Sequence, residues 1–216
     1  MTFREDGVSM PVVSEKHREE RKNIILKAAK EVFIKKGFTA TTMQDIIETS
    51  HISRGGVYTY FQNTEDIFVE LLRRRDIEDV WGPQDLYKNG LTSWQVLMSI
   101  IDTVSDTIEY QKDQLVPALY QYYFTVAWES KKHIPSLEAR IEQVKNSLAY
   151  IIQRGIEDQE FKCDIPPEDI ARTIITFCDG IYISSFHLGP ERVALKNQFL
   201  TFKSYLRTCL FNNQSS

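Results

Sequence analysis

From Arg21 onward, apolar side chains recur at Ile24, Ile25, Ala28, Ala29, Val32 and Phe33 with lysines between them, and Gly37 closes the run. That spacing predicts an amphipathic helix ended by a glycine. Thr41 and Thr42 can cap a second helix, only two turns long, whose inward side is Met43, Ile46 and Ile47 and which runs out near Ser50. After a short link through His51 and Ile52, Ser53 is placed to cap a third helix with Val57 and Phe61 on one side. Asn63 or Thr64 opens a fourth, with Glu65 and Asp66 in its first turn, Ile67, Phe68, Leu71 and Leu72 inward, and Arg73, Arg74 and Arg75 at its far end.

Beyond this point the pattern predicts longer helices over 93–111, 115–130, 135–159, 167–187 and 191–211, separated by proline- and glycine-containing breakers. Residues 76–91 carry weak signals and read as a linker. Residues 1–14 lack periodicity and read as a disordered arm. The expected division is therefore an arm over 1–14, a short-helix domain over 15–75 and a larger helical domain over 76–216.

Composition narrows the class. Apolar residues make up 42% of the 216 and charged residues 26%, so the chain can build a core. Only 9 Gly and 7 Pro argue against a sandwich or barrel, which needs a turn every ~8 to 12 residues. An all-α fold follows. No run approaches the ~18 apolar residues of a membrane span, and residues 1–14 lack the apolar centre of a signal peptide, so no membrane partner and a cytoplasmic location are expected. Cys163, Cys178 and Cys209 show no metal-ligand spacing and read as reduced thiols, buried as small hydrophobes or, as the minority alternative, sensing redox. No metal or other cofactor is expected. His17, His51, His133 and His187 are scattered and no nucleophile motif or phosphate loop appears, which disfavours an enzyme.

Charge is distributed unevenly. Residues 14–75 hold twelve Lys and Arg against nine Asp and Glu, a balance of +3, which leaves −7 for the rest of a chain whose net charge is −4. A basic segment on an acidic chain suits a nucleic-acid partner. Two short helices on a three-residue link, backed by an earlier amphipathic helix, form a helix-turn-helix whose second helix can enter a major groove. Ser53-Arg54-Gly55-Gly56 at that helix's leading end supplies small residues and one long cation. Each glycine costs roughly 1 kcal/mol in helix propensity, which close backbone approach to DNA would explain. Arg54 suits a guanine; Tyr58 and Tyr60 can reach phosphates; Thr41 and Thr42 offer hydroxyls and N–H groups to another. The plainer alternative makes the two tyrosines partly buried core aromatics and Arg54 a solvated charge.

The stretch from Ile24 to Leu72, above all Gly37-Phe38, Thr41-Thr42-Met43-Gln-Asp-Ile-Ile and Ile52-Ser-Arg-Gly-Gly-Val-Tyr-Thr-Tyr-Phe61, closely resembles the DNA-binding domain of the TetR/AcrR family of bacterial transcriptional regulators. The resemblance implies that Thr42, Ser53, Arg54, Gly55, Gly56, Tyr58 and Tyr60 face DNA; Thr41, Thr59 and Thr64 complete the candidate set. At Thr64 the family usually has lysine, so one phosphate contact is expected to be missing here. The resemblance also implies a homodimer bound to a palindromic double-stranded operator as a repressor, released by a small-molecule effector. The alternative is an architectural, effector-independent DNA binder of the same fold. Coupling between effector and operator is expected to pass through the fourth helix and 76–91.

For the larger part, the resemblance implies a helical bundle that binds the effector and forms the dimer. The last two predicted helices carry more apolar surface than one packing face needs, and Ile174, Ile181, Phe199, Phe202 and Leu206 are the expected interface, two pairs making four helices. Trp94, Tyr120, Tyr123, Phe124, Trp128 and Phe177 are the candidate lining of an effector site suited to an apolar or aromatic molecule. Spacing does not separate a lined pocket from a filled core.

Overall fold

A computed structural model describes residues 15–78, 87, 90–110, 114–127 and 135–211, with backbone alone at 75–78, 127 and 135–137. The arm over 1–14, most of 76–91, and Trp128 lie outside the described residues. Among the described residues every regular element is helical. Two compact units divide between Leu72 and Arg73.

In the first unit α1 spans Glu15–Lys36, α2 Met43–Ser50 and α3 Arg54–Tyr58, and α4, Thr64–Glu78, begins in it. α1 begins before the apolar stripe does, because 15–22 is all polar and a periodic hydrophobic signal cannot register it. Ile24, expected inward, is 48% exposed, and Leu26 is buried instead. At 3.6 residues per turn the buried arc centres on Ala29, from which Leu26 is one turn away and Ile24 well around the helix. Gly37 stops α1 with φ 76, its N–H donating to the Phe33 carbonyl at 2.8 Å.

The centre of this unit is a cluster of three rings. Phe33 meets Phe68 at 4.7 Å and Phe38 at 5.9 Å, and Phe38 meets Phe68 at 5.0 Å between centroids. Ile25, Ala29, Ile46, Val57 and Ile67 close around it, all fully buried. The short helices are too brief to be stable alone, so this core holds them.

In the second unit α5 spans Ser93–Glu109, α6 Val116–Tyr122, α7 Pro135–Glu157, α8 Pro167–Leu188 and α9 Leu195–Phe211. α7 packs on α5 and α8, and α9 packs on α5. Leu97, Ile101, Ile151, Ile152, Leu206 and Leu210 are fully enclosed between them. Two expected boundaries move. The helix expected over 115–130 changes pitch, continuing from α6 as a π-turn over Tyr123–Ala127 that departs from the α-helical period. The last helix starts at Leu195, not 191, because Gly189-Pro190 and Ala194, at φ 50, make a turn first.

The expected dimer residues are relocated by this packing. Ile174, Ile181, Phe199, Phe202 and Leu206 are at most 7% exposed and form the core of a single chain. A helical stripe declares burial but not whose surface buries it, so the strongest stripe went to the intramolecular core. The surplus apolar residues of α8 and α9 point elsewhere: Phe186 is 60% exposed, Leu188 56% and Leu200 64%.

Candidate nucleic-acid interface

α3 has one buried side and one open side. Val57, with Ile52 and Phe61 flanking the helix, is buried, while Ser53, Arg54, Gly55 and Thr59 are exposed and Tyr58 and Tyr60 are half-buried. Ser53 Oγ accepts the Gly56 N–H at 3.2 Å and so caps α3, as expected of it. The Thr59 hydroxyl donates to the Gly55 carbonyl at 2.8 Å. The Arg54 guanidinium lies over the Tyr58 ring, 5.6 Å from its centroid, which orients a long cation on this face.

The two glycines separate on steric grounds. A Cβ on Gly56 would meet Ile52 Cγ2 at 2.8 Å and Ser53 Oγ at 3.2 Å, so the interior requires glycine there. A Cβ on Gly55 would meet nothing within 4 Å. Nothing in the fold demands a glycine at 55, where it sits exposed in a helix that every residue but proline would favour more.

The neighbouring helix ends are satisfied internally. Thr42 Oγ1 accepts the Asp45 N–H at 3.2 Å while the Thr42 N–H and hydroxyl both donate to Asp45 Oδ2, at 3.0 and 2.8 Å: a complete capping box. Lys36 donates to Asp45 Oδ1 at 2.6 Å, joining the end of α1 to the start of α2. Hydrogen bonding from Lys36, then from the Thr42 backbone and hydroxyl, lowers the Asp45 pKa from 3.8 to about 2. Sequence reasoning missed Lys36 and Asp45, although Thr42-x-x-Asp45 is itself a capping signature. Thr41 is a correction: expected to face DNA, it is only 6% exposed and its hydroxyl donates inward to the Gly37 carbonyl at 2.6 Å. Thr64 is half-buried in the first turn of α4, behind Asn63, whose Oδ1 accepts the Asp66 N–H at 2.8 Å. Among the expected residues, then, Arg54, Gly55, Gly56 and Tyr58 lie on α3 with Ser53 and Thr59 capping its two ends, Thr42 caps the preceding helix, and Thr41 turns away. A short helix with one small, polar, cationic face can present a donor fork to a base edge and hydroxyls to phosphates.

The candidate effector residues do not form one set. Trp94 packs edge-on against Phe211 at 5.4 Å, and Phe177 stacks on Phe202 at 3.9 Å within the core. Tyr120, by contrast, lies between Tyr182 at 5.4 Å and the 63%-exposed Phe124 at 6.1 Å, and its hydroxyl donates to Asp179 Oδ1 at 3.3 Å. Tyr123, half-buried, tilts against Tyr122 at 5.9 Å. Burial raises the pKa of both Tyr120 and Asp179. Asp179 and Tyr182 were not anticipated as site residues; they fall on the same helix as Phe177, whose ring turns inward.

Two family models match the chain: that of bacterial regulatory proteins of the tetR family over residues 25–71, and that of the tetracyclin repressor-like C-terminal domain over 96–196. The HTH-type transcriptional regulator YfiR of Bacillus subtilis is 31% identical over 200 residues, which is 93% of this chain and 97% of that protein. The HTH-type transcriptional repressor KstR2 of Rhodococcus jostii is 26% identical over 68% of this chain and 71% of its own length. In fold the chain is similar to SmeT, the repressor of the Stenotrophomonas maltophilia efflux pump SmeDEF, with a TM-score of 0.70 at 14% identity, covering 89% of this chain and 91% of that one. No helix among the described residues is long and apolar enough to cross a membrane. With a relative matched almost end to end and both units carrying the corresponding family models, the chain belongs to the tetR family of bacterial regulatory proteins and is a helix-turn-helix, DNA-binding transcriptional regulator.

Proposed function

We propose that the protein is a homodimeric repressor that lays two copies of α3 into successive major grooves of a palindromic operator and is released by a small-molecule effector. The observation that carries the DNA side is Gly55, an exposed helical glycine with open space where its side chain would be. Beside Arg54, its absent side chain lets the α3 backbone approach the groove floor while Ser53, Tyr58, Thr59 and Tyr60 meet its walls, with Thr42 and Thr64 at the flanking helix starts. Two half-sites about one helical turn, or ~34 Å, apart would match a twofold dimer.

Phe186, Leu188 and Leu200 support the dimer. Phe186 and Leu188 are exposed in the last turn of α8 and Leu200 in the first half of α9, and Gly180 of α8, again with nothing near its missing Cβ, permits close approach of a second helix. A self-complementary apolar face of this kind is what a twofold interface uses. The effector site is centred on Tyr120, Phe124, Tyr182 and Asp179, where stacked rings and a half-exposed carboxylate suit a flat, apolar molecule bearing a hydrogen-bond donor. Effector and operator oppose one another through the dimer, so operator DNA weakens effector binding by the same factor by which effector weakens operator binding.

The test is titration of the purified protein against the DNA upstream of its own gene at two salt concentrations, beside an Arg54→Ala/Tyr58→Phe variant. Tight, salt-sensitive binding that the variant loses is expected. Equal affinity for random DNA, unaltered in the variant, would contradict a sequence-reading α3.

A further inference from the structure

We propose that Cys163 and Cys209 are a thiol pair that peroxide-class oxidants convert to an intramolecular disulfide, a modification site at the end of the α8–α9 hairpin remote from its turn. The chain after α7 doubles back there, with Gln159 at φ 59, and the Lys162 N–H donates to the Leu210 carbonyl at 2.8 Å. Each cysteine is the chain neighbour of one partner in that bond, so the backbone brings both to one junction. The Cys163 thiol donates to the Ile165 carbonyl at 3.8 Å, and both Ile165 and Cys209 line a cavity of about 60 Å³ with Asp169, Ile170, Thr173 and Tyr205.

That cavity has room for a few water-sized molecules, and hydrogen peroxide is little larger than one. Tyr205 lies one helical turn before Cys209 on α9 and lines the same cavity, which sets its phenol on the side of the helix where an oxidant would meet Cys209. Both cysteines are half-buried, so an oxidant of this size can reach them. Cys178 is half-buried too, but it lies on α8 away from the junction, and burial pushes its pKa up to about 12.

The chemistry proceeds in two displacements. The Cys209 thiolate attacks one peroxide oxygen, the O–O bond breaks, and the departing hydroxide takes up a proton as water, leaving a sulfenic acid. The Cys163 sulfur then attacks the Cys209 sulfur; the S–O bond breaks, a second water leaves with the Cys163 proton, and the S–S bond remains. Two thiols lose two electrons and the peroxide is reduced to two waters. The product pins the segment after α7 to the last turn of α9. Desolvation raises the Cys163 pKa and disfavours its thiolate, which leaves the first attack on the peroxide to Cys209, the cysteine that lines the cavity.

The experiment uses the full chain, reduced, freed of reductant, treated with hydrogen peroxide, alkylated, digested without reduction and read by mass spectrometry. The expected product is one linked peptide pair containing Cys163 and Cys209, reversed by dithiothreitol, with Cys178 still alkylated. Cys163→Ser should yield no linked pair and a Cys209 sulfenic acid that dimedone traps. Three results would overturn the proposal: Cys163 and Cys209 alkylated as fully as Cys178; linkage between two chains in place of within one; or wild-type Cys209 trapped by dimedone to the same extent as in Cys163→Ser. Circular dichroism of both proteins separates an unfolded variant from a negative result.

Discussion

The open face of α3 and the open face of the α8–α9 hairpin are both surfaces that the interior of the chain does not use, yet their chemistry is opposite. The first offers Ser53, Arg54, Gly55 and Thr59, with no large apolar group; the second offers Phe186, Leu188 and Leu200, each more than half exposed. Covering the second face removes apolar area from water at roughly 25 cal/mol per Å², so any apolar partner is favoured and a second copy is always at hand. Covering the first gains almost nothing from that source. Its affinity has to come from charge and close fit, which is what a phosphate backbone and a groove floor reward. The lesson is that an exposed residue speaks of function only after the core's own demands have been subtracted.

The sharpest way to break this contrast is to compare a core and a surface leucine on α9. Leu206→Ala should cost ~2 to 5 kcal/mol of folding free energy by urea denaturation, because it empties a fully buried site. Leu200→Ala should cost at most ~0.5 kcal/mol of fold stability. The double substitution Phe186→Asp/Leu200→Asp should leave folded monomers in sedimentation velocity; a persistent dimer would remove the hairpin face from consideration. On α3, Arg54→Ala should weaken operator binding by ~1 to 3 kcal/mol and relax preference at one base pair, whereas Tyr58→Phe should weaken all sequences about equally.

Smaller effects are expected at the helix start that supports the reading unit. Thr42→Ala should lower stability by ~1 kcal/mol through loss of the cap. Asp45→Asn carries a pH signature instead. The Asp45 pKa is depressed in the folded chain, so its carboxylate stabilises the fold above the ordinary value of 3.8 and ceases to do so as pH falls through the folded value of about 2. The melting-temperature gap between wild type and Asp45→Asn should therefore be constant near neutrality and close across that acidic window. A gap that widens toward acid would contradict the capping role.

The helical class, the order of the helices and the capping positions at Thr42, Ser53 and Asn63 were legible in the sequence, because each depends on neighbours within four residues. The polar start of α1 was not, since helix propensity without an apolar stripe leaves no periodic trace. Nor was the π-turn at Tyr123, since the 115–130 stretch carries no residue pattern that separates a π-turn from a continuing α-helix. Ile174, Ile181, Phe199, Phe202 and Leu206 stood out for the same reason that they were misassigned: the most regular stripe is the one the core claims first. Trp94 and Phe177 illustrate the same limit among aromatics. Gly55 and Gly56 are adjacent and identical in sequence, and only the positions of Ile52 Cγ2 and Ser53 Oγ distinguish the one the fold requires.

That distinction also provides the most direct test of α3 as the DNA-reading surface. A duplex selected by the wild-type protein from a random pool is titrated with wild type and Gly55→Ala, and the folding stability of both proteins is measured alongside. The expected result is a variant more stable by up to ~1 kcal/mol, from improved helix propensity, that binds the selected duplex at least about tenfold more weakly. A variant that gains the stability and keeps full affinity would show that nothing approaches α3 at Gly55, and would contradict its role at the groove.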